Sequence, residues 1–365
     1  MPKFIPGLQL SEQFYKKVVK ELIKKKFSNL KYSAALIGSG SEVLGFDTPL
    51  STDHHWGPRV IIFVSSKDIK YRKKISDYLS KNLPLKFKGY STNFSEPDED
   101  NVQLLIEAKK GDPINHRVGI TTIEEYFKNY LGINPRKKLT AYDWLTLSEQ
   151  KLASIRNGKI FHDQIGLKKV IKKFHYYPKD VWLYLLASEW TKINEEEPFI
   201  GRCGDVKDEI GSSIIAARIV QSIMNLCFLM EKTYAPYSKW FGTGFSKLKC
   251  AKKLSLHLSN VLNSKKWKER QKHLAQAQKI VAQMHNNLKL TKPLPTKTTS
   301  FHERPYHVIH GDIFAKELRK RIKDPDIRKI PTNIGSVNQF TNSVDILVDI
   351  LDEERMLGKL KVLYK

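Results

Sequence analysis

The stretch that decides the fold covers residues 33–64 and reads SAALIGSGSEVLGFDTPLSTDHHWGPRVIIFV. Its two ends, SAALI and VIIFV, are short apolar runs typical of sheet strands, and a glycine turn with a polar segment separates them. Glycines directly after a strand let backbone amides approach a phosphate, and adjacent hydroxyl groups add hydrogen-bond donors. The sequence therefore predicts a phosphate-binding turn at Gly38, Ser39, Gly40 and Ser41.

This turn differs from the common phosphate-binding motifs. No Gly-Lys-Ser/Thr follows it, as a Walker A motif requires, and it does not open the helix of a dinucleotide fingerprint. A carboxylate some dozen residues later, Asp53, precedes the second strand and is expected to reach the same pocket. A Mg²⁺ ion held there would bridge phosphate oxygens and offset the charge that develops during phosphoryl transfer.

The segments around this stretch predict further helices and strands. Residues 8–30 place apolar side chains at helical spacing, with Ser11 as the expected N-cap. Residues 67–84 predict another helix, while 102–108 and 117–121 are strand candidates.

Helical spacing dominates from about residue 140 to 290. Three long amphipathic segments are predicted, and Gly- and Pro-rich stretches at 198–204 and 234–244 are expected to interrupt them. The three segments are 180–193, 210–232 and 254–288. A linker rich in helix breakers follows at 289–305, and a closing amphipathic helix is predicted at 341–357.

The predicted fold class is α+β, with an N-terminal mixed sheet and its helices, a mainly helical domain and a small C-terminal extension. The expected domain ranges are 1–135, 136–290 and 291–365.

The composition describes a packed and basic protein. The chain has 63 Lys and Arg against 38 Asp and Glu, a net charge of +25, and its 41% hydrophobic content excludes a disordered chain. The charge fits a nucleotide or nucleic-acid partner, although spread lysines also describe an ordinary solvated surface. The three cysteines show no metal or disulfide spacing. The dense apolar run Val181–Trp190 is half of a membrane span and no signal peptide is evident, so the cell interior is the default expectation.

The order strand, Gly-Ser, about a dozen residues, Asp-x-acid, strand resembles the superfamily of polymerase-beta-type nucleotidyltransferases. Longer strings resemble a bacterial family called domain of unknown function 4037, a nucleotidyltransferase-like group. Those strings are GSGSEVLGFDTPLSTDHHWGPR (38–59), LTAYDWLTLSEQKL (139–152), GKIFHDQIG (158–166), YYPKDVWLYLLASEW (176–190), FIGRCGDVKDEIGS (199–212), YAPYSKWFGTGF (234–245), PYHVIHG (305–311) and GSVNQFTNS (335–343). The resemblance implies transfer of a nucleoside monophosphate from an NTP such as ATP to a hydroxyl acceptor, with Mg²⁺. A small molecule, RNA or a protein would be the acceptor.

Carried over by position, Gly38 and Ser39 match the superfamily's phosphate-binding Gly-Ser, and Asp53 matches its first metal-binding aspartate. The second acid is expected two residues later, where His55 stands, and imidazole is a poor ligand for Mg²⁺. The resemblance thus leaves open a site with a softer ion on His55, and a degraded metal site in a protein that still binds nucleotide or RNA.

The third possibility is that another carboxylate completes the metal site, with Asp47, Glu42 and Glu107 as the candidates. Two basic residues are expected to assist at the phosphates. Arg202, in a glycine-flanked segment, is suited to clamp a phosphate, and Lys239 lies beside aromatic residues that could stack on a base.

Overall fold

The computed structural model of the protein describes residues 2–99, 101–348 and 353–364 and confirms the α+β class. The chain forms two compact units. The first contains Met1–Lys138 and Lys151–His175, the second contains Leu139–Gln150 and Tyr176–Asp349, and the last residues are divided between them. Most of the predicted C-terminal extension therefore lies within the second unit.

The strands are short. In chain order they are β1 (Tyr32–Leu36), β2 (Arg59–Val64), β3 (Lys86–Phe87), β4 (Tyr90–Ser91), β5 (Arg117–Thr121), β6 (Lys159–Asp163), β7 (Thr299–Phe301) and β8 (Arg304–Val308).

The helices are more numerous. In chain order they are α1 (Gly7–Phe14), α2 (Lys20–Lys26), α3 (Ser41–Leu44), α4 (Arg72–Asn82), α5 (Ile123–Leu131), α6 (Ala141–Thr146), α7 (Glu149–Arg156), α8 (Leu167–Lys172), α9 (Lys179–Glu196), α10 (Phe199–Asp205), α11 (Glu209–Met230), α12 (Ser238–Ser246), α13 (Ala251–Asn263), α14 (Trp267–Asn287), α15 (Gly311–Arg319), α16 (Pro325–Lys329), α17 (Val337–Phe340), α18 (Val344–Val348) and α19 (Glu353–Leu360). A π-helical turn at Tyr15–Val19 joins α1 to α2, and 3-10 turns lie at Pro49–Asp53, Ile69–Tyr71 and Lys361–Tyr364.

The first unit is built on a four-stranded mixed sheet in the order β5-β2-β1-β6. Strand β1 is antiparallel to β2 and β6, whereas β2 is parallel to β5. The strands predicted at 33–37, 60–64 and 117–121 are confirmed. The parallel register places Arg59 beside Arg117, so two basic side chains begin neighbouring strands.

Two local predictions in the first unit are wrong. The N-terminal helix begins at Gly7 and not at Ser11, whose buried hydroxyl donates to the Gly57 carbonyl at 3.4 Å. Residues 102–108 form no strand beyond a single bridge from Leu105 to Phe94. Leu104 and Ile106 are exposed, and from this apolar run Leu105 and Ala108 pack against the core.

The second unit packs its helices around α9, which contacts α11 and α15. Trp190 on α9 stacks on Phe314 of α15, with ring centroids 4.2 Å apart. The stretch at 198–204 separates α9 from α11 as predicted, and most of it forms the short helix α10. A Cβ at Gly204 would overlap the Trp267 ring, so the glycine serves close packing and does not end a helix.

One helix prediction of this unit needs correction, and another falls partly on residues outside the described ranges. The segment 254–288 is divided into α13 and α14 at Ser264–Lys266, where the Ser264 carbonyl accepts from the Arg270 side chain at 2.9 Å. The closing helix expected at 341–357 is described as α18 and α19, and residues 349–352 lie outside the described residues.

Among the described residues, one helix is long and apolar enough to cross a membrane, namely α11, which is a longer apolar segment than the run at 181–190. More than half of its apolar window is buried inside the protein, as in the core helix of a soluble protein. The sequence and the fold are therefore compatible with a soluble protein.

Candidate functional site

The glycine turn follows β1 with an unusual backbone. Gly38 has φ +91° and Gly40 has φ +143°, conformations that L side chains rarely adopt. A Cβ at Gly38 would also overlap the hydroxyl of Tyr126 on α5, which is buried and has no hydrogen-bond partner in the described parts of the chain. The glycine is therefore required by both conformation and space.

The turn presents unused donors. The Gly38 amide donates to the Ser154 carbonyl at 3.1 Å. Within the described residues, the backbone N–H groups of Ser39, Gly40 and Ser41 donate to no protein acceptor, and the two serine hydroxyls make no hydrogen bond. Successive free amides in a glycine turn form a concave site for an anion.

Arg59 supports this turn from the start of β2. Its Nε donates to the Glu42 carboxylate at 2.8 Å, and an Nη donates to the Ser39 carbonyl at 2.6 Å. Glu42 is 3% exposed, so this is a buried ion pair. Glu42 is thus occupied by a cation and is not available to a metal ion.

A second guanidinium lies beside the first. Arg117 is half-buried, its Nη1 lies 2.7 Å from His55 Nδ1, and its guanidinium lies over the Phe94 ring. No carboxylate within the described residues forms an ion pair with it. Burial and the charge of Arg59 lower the pKa of Arg117 to about 10, so it stays cationic at neutral pH. The two arginines exceed the one carboxylate that pairs with them, Glu42, and the charge of Asp98 acts on His55 from nearby.

His55 and Asp53 are held apart from a shared ion. His55 has φ +51° and a pKa lowered by burial and by the Arg117 charge, with its Nδ1 engaged by Arg117. Asp53 ends the 3-10 turn, its side chain is 65% exposed, and it pairs with His54 Nδ1 at 3.0 Å. Burial raises the pKa of Asp53, but the hydrogen bond and charge of His54, together with backbone hydrogen bonds, outweigh it and hold the pKa below its usual value.

The remaining candidate acids have structural partners. Asp47 accepts from the Gly7 amide at 2.7 Å and from Trp56 Nε1 at 3.1 Å, which fastens the start of α1. Glu107 is exposed and pairs with Lys86 at 2.9 Å. In the described part of the chain, no three His, Cys, Asp or Glu side chains form a group that could hold a metal ion.

These donors do not fit a magnesium ion. Mg²⁺ takes an octahedron of oxygen ligands, usually with one or two carboxylates from the protein. Here the position of the second acid is an imidazole in contact with a guanidinium, and Glu42 is neutralised by Arg59. The arrangement suits an anion at the turn.

Arg202 and Lys239, the predicted phosphate-binding cations, both belong to the second unit. Arg202 is an exposed residue of α10 whose guanidinium lies 5.8 Å from the centroid of the Phe199 ring. Lys239 is an exposed residue of α12, 5.5 Å from the centroid of the Trp240 ring. Their predicted role at a nucleotide stays a prediction.

The second unit contains a cavity of about 260 Å³ that the sequence did not reveal. Two buried glutamates line it, Glu149 at the start of α7 and Glu189 on α9. Carboxamide side chains supply most of its other polar groups. These are Gln150, Gln221, Asn225, Asn338, Gln339 and Asn342.

The two carboxylates have different surroundings. Glu189 accepts from Asn225 at 3.2 Å and from Gln339 at 2.6 Å, and Lys192 lies 3.9 Å away. Glu149 accepts at one oxygen from the Ala235 amide at 2.7 Å. Burial, with a contribution from the nearby charge of Glu189, raises the pKa of Glu149 to about 7 against the opposing Ala235 hydrogen bond.

A signal for this cavity exists in the sequence. Glu189 interrupts the apolar run VWLYLLASEW, on a helix whose other residues from Val181 to Trp190 are all buried. An acid inside such a run must be buried, and buried acids need polar partners. Its partners Asn225 and Gln339 lie 36 and 150 residues away in sequence, so they could not be identified without the fold.

Residues 144–241 match a family described as Domain of unknown function (DUF4037). The matched segment begins within α6 and ends within α12. It includes both buried glutamates of the cavity and supports the resemblance to that family for this part of the chain. No curated protein matches the chain significantly.

Proposed function

We propose that the first unit binds the phosphate groups of a nucleotide at the Gly38–Ser41 turn, without a metal ion held by the protein. The observation that supports this proposal is the set of unused donors at the turn. Three consecutive backbone amides and two hydroxyl groups have no acceptor in the described residues, and Arg59 is fixed directly beside them. A phosphate would supply the missing acceptors.

Charge supports the same ligand. Arg117 has no carboxylate partner among the described residues and lies next to Arg59 in the sheet register. A charge-assisted hydrogen bond from a guanidinium to phosphate contributes more than a neutral one, because both partners carry charge. Two arginines can therefore offset the negative charge of the phosphate groups at this site, as Mg²⁺ does in a metal-dependent nucleotide site.

The test is calorimetric titration of ATP into the full chain in EDTA, with and without the substitution Arg117→Gln. We expect ATP to bind in EDTA, and Arg117→Gln to weaken binding at least about tenfold, since a hydrogen bond to a charged group contributes about 1.5–3 kcal/mol. Arg59→Met is a poor choice, because it would leave Glu42 buried and unpaired.

The matched control is Arg136→Gln. Arg136 belongs to the same unit, is largely exposed and pairs with Glu124. It lies near Val64, at the opposite end of β2 from the turn, so the control removes the same charge at a distance from the turn. ATP affinity should stay within about twofold of wild type. Absence of ATP binding in EDTA, or equal effects of the two substitutions, would contradict the proposal.

Nucleotidyl transfer is the second candidate, favoured by the exposure of Asp53, whose carboxylate contacts its neighbour His54 and no other side chain of the described residues. Incubation with α-labelled ATP and Mg²⁺ would reveal it as label entering RNA, protein or small molecules. Label that is lost in Asp53→Ala supports transfer. Bound ATP with no transferred label leaves nucleotide binding as the function of the turn.

A further inference from the structure

The cavity of the second unit contains a carboxylate oxygen that accepts no hydrogen bond from the described part of the chain. Glu149 is 7% exposed, and only one of its carboxylate oxygens has a hydrogen-bond donor within the described residues, the Ala235 amide. A buried carboxylate without a cationic partner is costly, so it marks a place where a cation would be stabilised.

The surroundings of Glu149 show what kind of cation fits. Both oxygens of Glu189 already accept from carboxamides, so the cavity offers one open carboxylate oxygen. One open oxygen suits an ammonium group, whereas a calcium ion takes six to eight oxygen ligands. Glu189 adds negative potential, and its ion-pair partner among the described residues, Lys192, lies 3.9 Å away.

The remaining lining describes the rest of the ligand. The cavity of about 260 Å³ exceeds what a single water needs and is large enough for a small organic molecule. Apolar side chains of Met224, Phe241 and Leu347 line part of the wall and suit methylene groups. Carboxamides such as Gln221 and Asn342 both donate and accept, which suits hydroxyl or amine groups.

We infer that this cavity binds a small aliphatic ammonium compound, a diamine or an amino alcohol, with its ammonium group on Glu149. The matched family segment, residues 144–241, contributes Glu149, Glu189 and Asn225 to the site. The inference is independent of the phosphate-binding turn and goes beyond it.

Two pairs of probes separate charge from shape. Putrescine is compared with 1,4-butanediol, and 2-amino-1,3-propanediol is compared with glycerol, so that each pair exchanges ammonium for hydroxyl at nearly constant size. Each compound is titrated into the full chain up to 10 mM and followed by calorimetry and by two-dimensional NMR. We expect at least one amine to bind at least tenfold more tightly than its neutral analogue.

Glu149→Gln keeps the volume and the acceptor for Ala235 but removes the charge, and it is expected to weaken amine binding at least tenfold.

Gly242→Leu tests independently whether the volume of the cavity is needed for binding. Gly242 lines the cavity and a Cβ there would meet nothing within 4 Å, so leucine is expected to fill the cavity without a clash and to abolish binding. Thr243→Leu, on the same helix and outside the cavity lining, is the matched control and should bind as wild type does.

Thermal unfolding of each variant shows that the fold is kept. The inference is overturned if neither amine binds, if the neutral analogues bind equally well, or if Glu149→Gln and Gly242→Leu both bind the amine as wild type does. Binding of Ca²⁺ in the absence of amine binding would also overturn it.

Discussion

The glycine turn of the first unit and the cavity of the second have opposite chemistry. The turn lies at the surface, offers N–H and O–H donors and has a surplus of guanidinium charge. The cavity offers two buried glutamates and a set of carboxamide groups. A net charge of +25 for the whole chain thus gives no information about the sign of a particular site.

The two sites call for different kinds of amino-acid substitution. The donors of the turn are mostly backbone amides, which no side-chain substitution removes, so the turn must be perturbed through its glycines. The acceptors of the cavity are side chains in a packed interior, so isosteric Glu-to-Gln changes can remove charge and leave the shape intact.

The largest expected effect is at Gly38. Gly38→Ala would add a Cβ at φ +91° that overlaps the Tyr126 hydroxyl. Left-handed strain of about 1–2 kcal/mol and overpacking of about 1–3 kcal/mol together should lower the free energy of unfolding by about 3 kcal/mol. Urea denaturation of the purified variant measures this loss.

The matched control for Gly38 is Gly45→Ala. Gly45 also has a positive φ, +70°, but a Cβ there meets nothing within 4 Å, so only the strain of about 1–2 kcal/mol should remain. The double change Gly38→Ala with Tyr126→Phe removes the overlapping hydroxyl and should recover the difference between the two single variants. Equal losses for Gly38→Ala and Gly45→Ala would show that Tyr126 does not shape the turn.

The next effect concerns the charge of the cavity. The pKa of Glu149 is about 7 in the folded protein and near 4.5 when unfolded. The unfolded chain therefore releases this proton first, and the contribution of Glu149 to stability falls as the pH rises from about 4.5 to 7. Glu149→Gln should match wild type near pH 4.5 and be about 3 kcal/mol more stable at pH 8.

The charge of Glu189 acts on Glu149, the charge of Glu149 acts on Tyr177, and Lys192 pairs with Glu189. Glu195→Gln, at an exposed position of α9, is the control and should show no such pH dependence. Urea denaturation at pH 4.5, 6 and 8 gives both curves. A stability difference that stays constant with pH would mean that Glu149 does not carry the unpaired buried charge.

The sheet was accessible from sequence because its strands are short apolar runs whose burial follows directly from their composition. SAALI and VIIFV became β1 and β2, and RVGIT became β5. The strand predicted at 102–108 does not form, and Leu104 and Ile106 in this run are apolar yet exposed. The apolar content of a segment does not show whether a neighbouring strand is present to form backbone hydrogen bonds with it.

The turn could be predicted and its electrostatics could not. The glycines at 38 and 40 are visible in the sequence, and their backbone conformations agree with that prediction. The guanidinium surplus depends on the register that sets Arg59 beside Arg117, which is a property of the folded sheet. Whether these residues bind nucleotide stays a prediction, as does a metal role for Asp53 and His55.

The smallest expected effect is a difference in salt dependence between the two sites. Exposed charges are screened within a Debye length of about 8 Å at 0.15 M salt, whereas buried pairs are screened much less. Between 50 and 300 mM KCl, ATP binding at the turn should weaken roughly fivefold, and putrescine binding in the cavity less than about twofold. Parallel calorimetric titrations on one preparation measure both slopes. Equal dependence of the two affinities on KCl concentration would mean that Glu149 in the cavity is as open to solvent as the turn.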